Sequence, residues 1–249
     1  MHGYPRRLAI ALMLAGLTAG VAGQRQVAQE IDSAAQSIAE GSRDGATVPQ
    51  TGERLVAGPV VVPEGNGAPV ITDGLFSPGE WDDARRIPLS EAVELRVKQY
   101  RGVVFIGVRG LGTSTMIGPS DLFLAVPGGQ IHQLHRSAQL GEVVLPPTGA
   151  APPFRFGLTL DWYANEERRD AEEFQRLQKE GKTPFEVIRA TSYPSDGIEF
   201  AIRRSKFAGR VWLMRLTASV LAGDTPGMLT YPAGTAERTP EGWLELRFK

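Results

Sequence analysis

Apolar and polar residues alternate in short runs along this chain, and turn residues break each run. Val93, Leu95 and Val97 alternate with Glu94, Arg96 and Lys98. A period of two puts one face of a strand in a core and the other in water. The alternation returns in Ile198, Phe200 and Ile202, in Trp212, Met214 and Leu216, and in Leu244, Leu246 and Phe248. Phe154, Phe156, Leu158 and Leu160 are expected to form a further strand with these residues inward. Val103 to Ile106 is continuously apolar, as a central strand covered on both faces would be. Asp73-Gly74, Arg101-Gly102 and Pro127-Gly128-Gly129 supply tight turns between runs. About ten short strands with this punctuation argue for a sandwich or barrel. The expected fold class is all-β, an antiparallel β-sandwich.

One segment breaks the pattern. Residues 161–182 are expected to form a helical insert. Asn165 can cap it, Glu166 and Glu167 occupy the first turn, Lys179 the last, and Gly181 stops it. That polarity suits the helix macrodipole. Ala171, Phe174 and Leu177 form a narrow apolar stripe, and the remaining charges read as a solvated face. Residues 185–190 are expected to resume β structure. Residues 109–119 and the stretch after Val220 read as loops.

Composition bounds the rest. The chain has 249 residues, enough to bury a core without staples. There is no cysteine, which excludes disulfides, a thiolate nucleophile, thiolate-bound zinc and covalently attached c-type haem. A formal net charge of −1, with no basic stripe among aromatics, gives no indication of nucleic-acid binding.

The N-terminus reads as an export signal. Arg6 and Arg7 precede an apolar run from Leu8 to Val21, and the small residues Ala22 and Gly23 follow. The run is short for a bilayer span. Residues 1–23 are expected to be a cleaved signal peptide, leaving no transmembrane span and a periplasmic or extracellular (secreted) protein. Residues 24–68 are expected to hold a thin amphipathic helix and a Gly/Pro-rich linker, with Val60 to Val62 as at most an edge strand. The sandwich is expected over residues 69–249.

Residues 71–109 carry a family resemblance. Ile71-Thr72-Asp73-Gly74 leads into an Asp-Gly turn, Glu80-Trp81-Asp82-Asp83-Ala84 supplies a Trp a few residues on, and two strands follow. Residues 197–207, 211–220 and 240–248 continue the series, with Glu199 as an acidic residue within a strand. This layout resembles family 9 carbohydrate-binding modules and related secreted β-sandwiches, including DOMON-type domains. Arg203-Arg204 departs from the pattern, where relatives often have Ile-Pro. The resemblance implies a carbohydrate-binding-module-like fold and, as leading ligand class, glycan. Its binding tryptophans match no motif here.

Candidate ligand residues come from the requirement for an aromatic face beside hydrogen-bonding groups. Trp162 and Tyr163, next to Asp161 and Asn165, lead; Tyr193 and Trp243 follow. The competing reading has Trp162 fasten the insert to the sandwich. Trp81 reads as a core plug. His132 and His135, three apart on a strand, point to opposite faces and are poorly placed to share an ion. A b-type haem on Met116 with His132 or His135, and calcium on Asp73, Asp82 and Asp83, are the alternative cofactors to none. No carboxylate pair, nucleophile elbow or His-Glu-x-x-His helix stands out. The expected function is non-catalytic binding. The alternatives are a haem-binding electron-transfer domain and an envelope assembly protein that meets its partner through the inserted helix.

Overall fold

The computed structural model describes residues 58–249, except 92, 112–113, 138, 158–160, 166–169, 183, 192–194 and 223–224. The expected signal peptide, the helix that follows it, Tyr193, Leu158 and Leu160 lie outside the described residues.

In chain order come β1 (Val60–Val61), β2 (Arg85–Ser90), β3 (Val93–Tyr100), β4 (Val103–Gly110) and β5 (Ser114–Ala125). Then come β6 (Ile131–Arg136), β7 (Leu140–Leu145), β8 (Arg155–Phe156) and β9 (Trp162–Ala164). Helices α1 (Ala171–Lys179) and α2 (Pro184–Thr191) follow, then β10 (Gly197–Arg203), β11 (Val211–Ala222), β12 (Thr225–Tyr231) and β13 (Leu244–Arg247). The larger sheet runs β1-β13-β11-β5-β6-β7-β8, with β12 hairpinned to the far half of β11. The smaller runs β2-β3-β4-β10-β9. Strand pairs are antiparallel except β1 with β13.

The all-β sandwich is therefore observed. Its core lies where the alternation predicts. Val93, Leu95, Val97, Ile198, Phe200 and Ile202 of the smaller sheet meet Trp212, Met214, Leu216, Leu244, Leu246 and Phe248 of the larger. Every one of these side chains is buried. Burying a large aliphatic or aromatic side chain contributes about 1.5–3 kcal/mol, so this layer supplies much of the driving force for folding. Val60 and Val62 join the same core, so the sandwich takes in residues ahead of 69.

Residues 70–84 cross the outer face of the smaller sheet. Phe76 and Trp81 stack there at 5.2 Å and, with Val70, cover Phe105. Gly107 of β4 makes this possible, since a Cβ there would come within 2.8 Å of the Trp81 ring. Trp81 is the core plug that was expected.

The helical segment differs from expectation at both ends. Asp170, not Asn165, caps α1, its Oδ1 accepting the Glu173 N–H at 3.0 Å. Asn165 is buried and links β9 to β10 instead: its Oδ1 accepts from Glu199 N and its Nδ2 donates to Gly197 O. Residues 185–190 do not resume β structure but lie in α2. Pro184 at its first position and Glu186 in its first turn are its start signals. Val187 of α2 packs on Phe174 and Leu177 of α1, so the two helices share a small core. Strand β5 begins at Ser114, inside the expected loop, and β12 is a strand where a loop was expected. No helix among the described residues is long and apolar enough to cross a membrane.

Candidate functional site

The outer face of the larger sheet carries the candidate site. Cross-strand register aligns Thr217, Asp121, His135, Gly141 and Phe156 in one row from β11 to β8. Gly141 seats Phe156: a Cβ at that glycine would come within 3.0 Å of the ring. Phe156 is 48% exposed, so its ring lies against the sheet and still faces water. Phe154 lies 5.8 Å from Phe156 between ring centroids, and the His135 ring stands 5.1 Å from Phe154. His135 Nδ1 is 2.9 Å from Asp121 Oδ1, which fixes the buried imidazole and leaves the carboxylate partly open to solvent. The row thus sets an aromatic surface beside a hydrogen-bonding carboxylate.

Toward one end of the sandwich the same face opens into a groove of about 1030 Å³. Ile131, Leu145 and Leu213 form its floor. Its walls are residues 127–130, Pro146, Pro147 and Pro152, and Arg238, Pro240 and Glu241. An Arg238 guanidinium N–H donates to Gly149 O and ties two of these walls together.

A half-buried and a buried carboxylate lie elsewhere. Glu142 of β7 accepts hydrogen bonds from Trp162 Nε1 at 2.9 Å and Lys206 Nζ at 2.8 Å, and pairs with His132 Nδ1 at 2.8 Å. Burial alone would raise its pKa; the bonds from His132, Lys206 and Trp162 outweigh it and hold the carboxyl at about 2. Glu199 of β10 lies under residues 70–84. It accepts from Asp73 N at 3.0 Å, Gly74 N at 2.8 Å and Trp81 Nε1 at 2.9 Å. Burial dominates here and pushes its carboxyl up to about 7, against the pull of those donors.

Of the four expected ligand residues, the three that are described do not come together. Trp162 is 2% exposed, sits in the main core and spends its indole N–H on Glu142, so neither ring face is open to a sugar. Trp243 is buried beside Ile131 and Leu145 under the groove, its Nε1 donating to Ala236 O. Tyr163 is 40% exposed but belongs to β9 of the other sheet. Tyr193 lies outside the described residues. His132 and His135 point to opposite faces, each against its own carboxylate. Among the described residues no group of three or more metal-ligating side chains is gathered. Asp83, considered for calcium, accepts from Lys98 Nζ and from the Asn66 and Gly67 amides.

Phe156 and Asp121 were missed as site residues. The alternation around Phe154 and Phe156 was legible, but it was assigned inward. Two-residue β8 covers the outer face instead, because the inner face is already filled.

No family model matches the chain, and no curated protein does. A similar solved structure is a Bacteroides uniformis protein proposed to be carbohydrate-binding. It is 10% identical over 63% of this chain and 78% of that one, with a TM-score of 0.34. So slight a likeness carries no argument about the ligand. The resemblance to family 9 modules and DOMON domains rests on the residues of the Asp-Gly and Trp motifs.

Proposed function

We propose that this chain is an exported, non-catalytic binding domain whose ligand is a glycan. The observation that carries the reading is Phe156, half-exposed and seated on Gly141, beside the Asp121–His135 pair on the face that also carries an open groove. Sugars present apolar C–H faces and hydroxyl edges, so an aromatic ring beside a carboxylate matches both. The groove has the size of a small-ligand site. It is open along its length, which suits a chain lying across the face better than an enclosed metabolite. The signal-like residues 1–23 support export.

The test is a glycan array followed by calorimetry on the purified protein. Binding to a glycan class, weakened at least about tenfold by Phe156→Ala and by Asp121→Asn, is the expected result. Both sites are at the surface, so circular dichroism should be unchanged. Equal affinity in the Phe156→Ala variant would overturn the site, and a Soret band in the visible spectrum would overturn the ligand class.

A further inference from the structure

The groove opens at one end of the sandwich, and that end is basic. β11 starts there at Val211, β13 finishes at Arg247, and β4 starts beside the end of β10, with Val103 opposite Arg203. Three connections meet at this end. Arg204 N donates to Gly102 O, which joins the β10–β11 connection to the β3–β4 turn. Phe248 N donates to Arg210 O, which joins it to the segment after β13.

The basic residues here fall into two kinds. Arg204 and Lys206 are used internally. Arg204 lies over the Trp212 and Phe248 rings at 5.2 and 4.3 Å and donates to Phe207 O, while Lys206 serves Glu142. Arg101, Arg203, Arg210 and Lys249 are exposed. The carboxylates nearby are Asp161, Glu64, Glu241 at the groove wall and Glu245, which pairs with the exposed Arg247.

Arg101 supplies a second, independent observation. It and Gly102 form a two-residue hairpin loop, with φ of 48° and 78°. That is a type I′ turn, in which Asn, Asp or Gly is preferred at the first central position. Among the described residues Arg101 is the one non-glycine with positive φ. Arginine is less favoured there than Asn or Gly; its guanidinium lies over the Tyr100 ring at 5.2 Å and carries charge to the tip of the basic end.

We infer that the ligand is an acidic glycan. The inference rests on the glycan reading above and names its class. A neutral sugar ring stacks on Phe156, where Asp121 and, at the groove wall, Glu241 would repel an anion. Carboxylate or sulfate groups further along the chain reach Arg101, Arg203 and Arg210 around the end.

The test uses hyaluronan, pectate and chondroitin sulfate oligosaccharides, each beside its carboxyl-reduced or desulfated counterpart. Supporting the inference, one acidic member binds at least about tenfold tighter than its neutral counterpart, with affinity falling steeply as salt rises. The triple variant Arg101→Asn, Arg203→Gln, Arg210→Gln loses that preference. Arg101→Asn alone lowers acidic-glycan affinity while its melting temperature stays equal or rises. Equal binding of acidic and neutral counterparts, or a triple variant that keeps the preference, overturns the inference and leaves the glycan reading standing. Binding to none of them, with none on a neutral array, overturns both. Binding to duplex DNA as tight as to the best glycan also overturns it, because the end would then be a general polyanion surface.

Discussion

Glu142, half-buried in the larger sheet, and Glu199, buried in the smaller, each accept an indole N–H at 2.9 Å. Their carboxyls nevertheless sit near 2 and near 7. The difference is the company of charge. The Lys206 ammonium stands against Glu142, and His132 adds a hydrogen bond. Glu199 is met by neutral N–H donors, and the charge bearing on it is the repelling Asp73 carboxylate. Hydrogen bonds alone do not repay the loss of water around a buried anion, whereas a cation in contact does. Glu142 is therefore a fastener between the larger sheet, β9 and the β10–β11 connection. Glu199 holds residues 70–84 in place at an electrostatic cost.

Removing the indole from one side should have the largest effect. Trp81→Ala empties the space over Gly107 and takes a donor from Glu199; a loss of about 3–5 kcal/mol in urea unfolding is expected. A loss below about 1 kcal/mol would show that residues 70–84 are peripheral to stability.

Next comes the same substitution at both glutamates. Glu142→Gln leaves Lys206 without its anion and should cost about 3 kcal/mol at pH 7. Glu199→Gln removes a charge that was expensive to bury while weakening the indole bond, so at pH 8 it should lie within about 1 kcal/mol of the parent. Equal losses would erase the distinction.

The pH profiles should slope in opposite directions. Glu199 has a pKa raised from 4.5 to about 7, so its folded form holds the proton longer. Its stabilising contribution is complete below pH 4.5 and lost as pH rises through 7, by about 3 kcal/mol. Glu142 has a pKa lowered from 4.5 to about 2, so its contribution is complete above pH 4.5 and lost as pH falls through 2. Urea midpoints at pH 5 and pH 8 isolate the first window, and Glu199→Gln should flatten it. A parent protein equally stable at both pH values would contradict the raised value.

The smallest effect should come from Tyr163, next to Trp162 in sequence but on the exposed side of β9. Tyr163→Ala should change stability by no more than about 0.5 kcal/mol. A larger loss would mean that β9 is anchored by its outer face as well as by the Trp162–Glu142 bond.

Much of this frame was legible beforehand. The inward sets of β3, β10, β11 and β13 follow from a period of two, because any other register would turn them to water. Trp81 as a plug follows from the Asp-Gly turn and the single turn of chain after it. The segment that became α2 was misread because eight residues with Val187 and Ile188 side by side suit a strand as well as a helix. Asn165 was misread because its capping chemistry serves a sheet edge equally well.

By itself the sequence determined the sandwich: the alternation, the turn residues and the apolar Val103 to Ile106 strand permit few other ways to bury that much hydrocarbon. Only tertiary structure decided which aromatics would be wet. Trp162 and Phe156 each belong to a short strand near an edge and cannot be told apart by local pattern. Long-range pairing put Trp162 between the sheets with a carboxylate for its N–H and left Phe156 on the outside over a glycine. Tertiary structure also decided the chemistry of the two glutamates. A pKa depends on which charges the fold brings within a few ångströms, and Lys206 lies 64 residues from Glu142 along the chain.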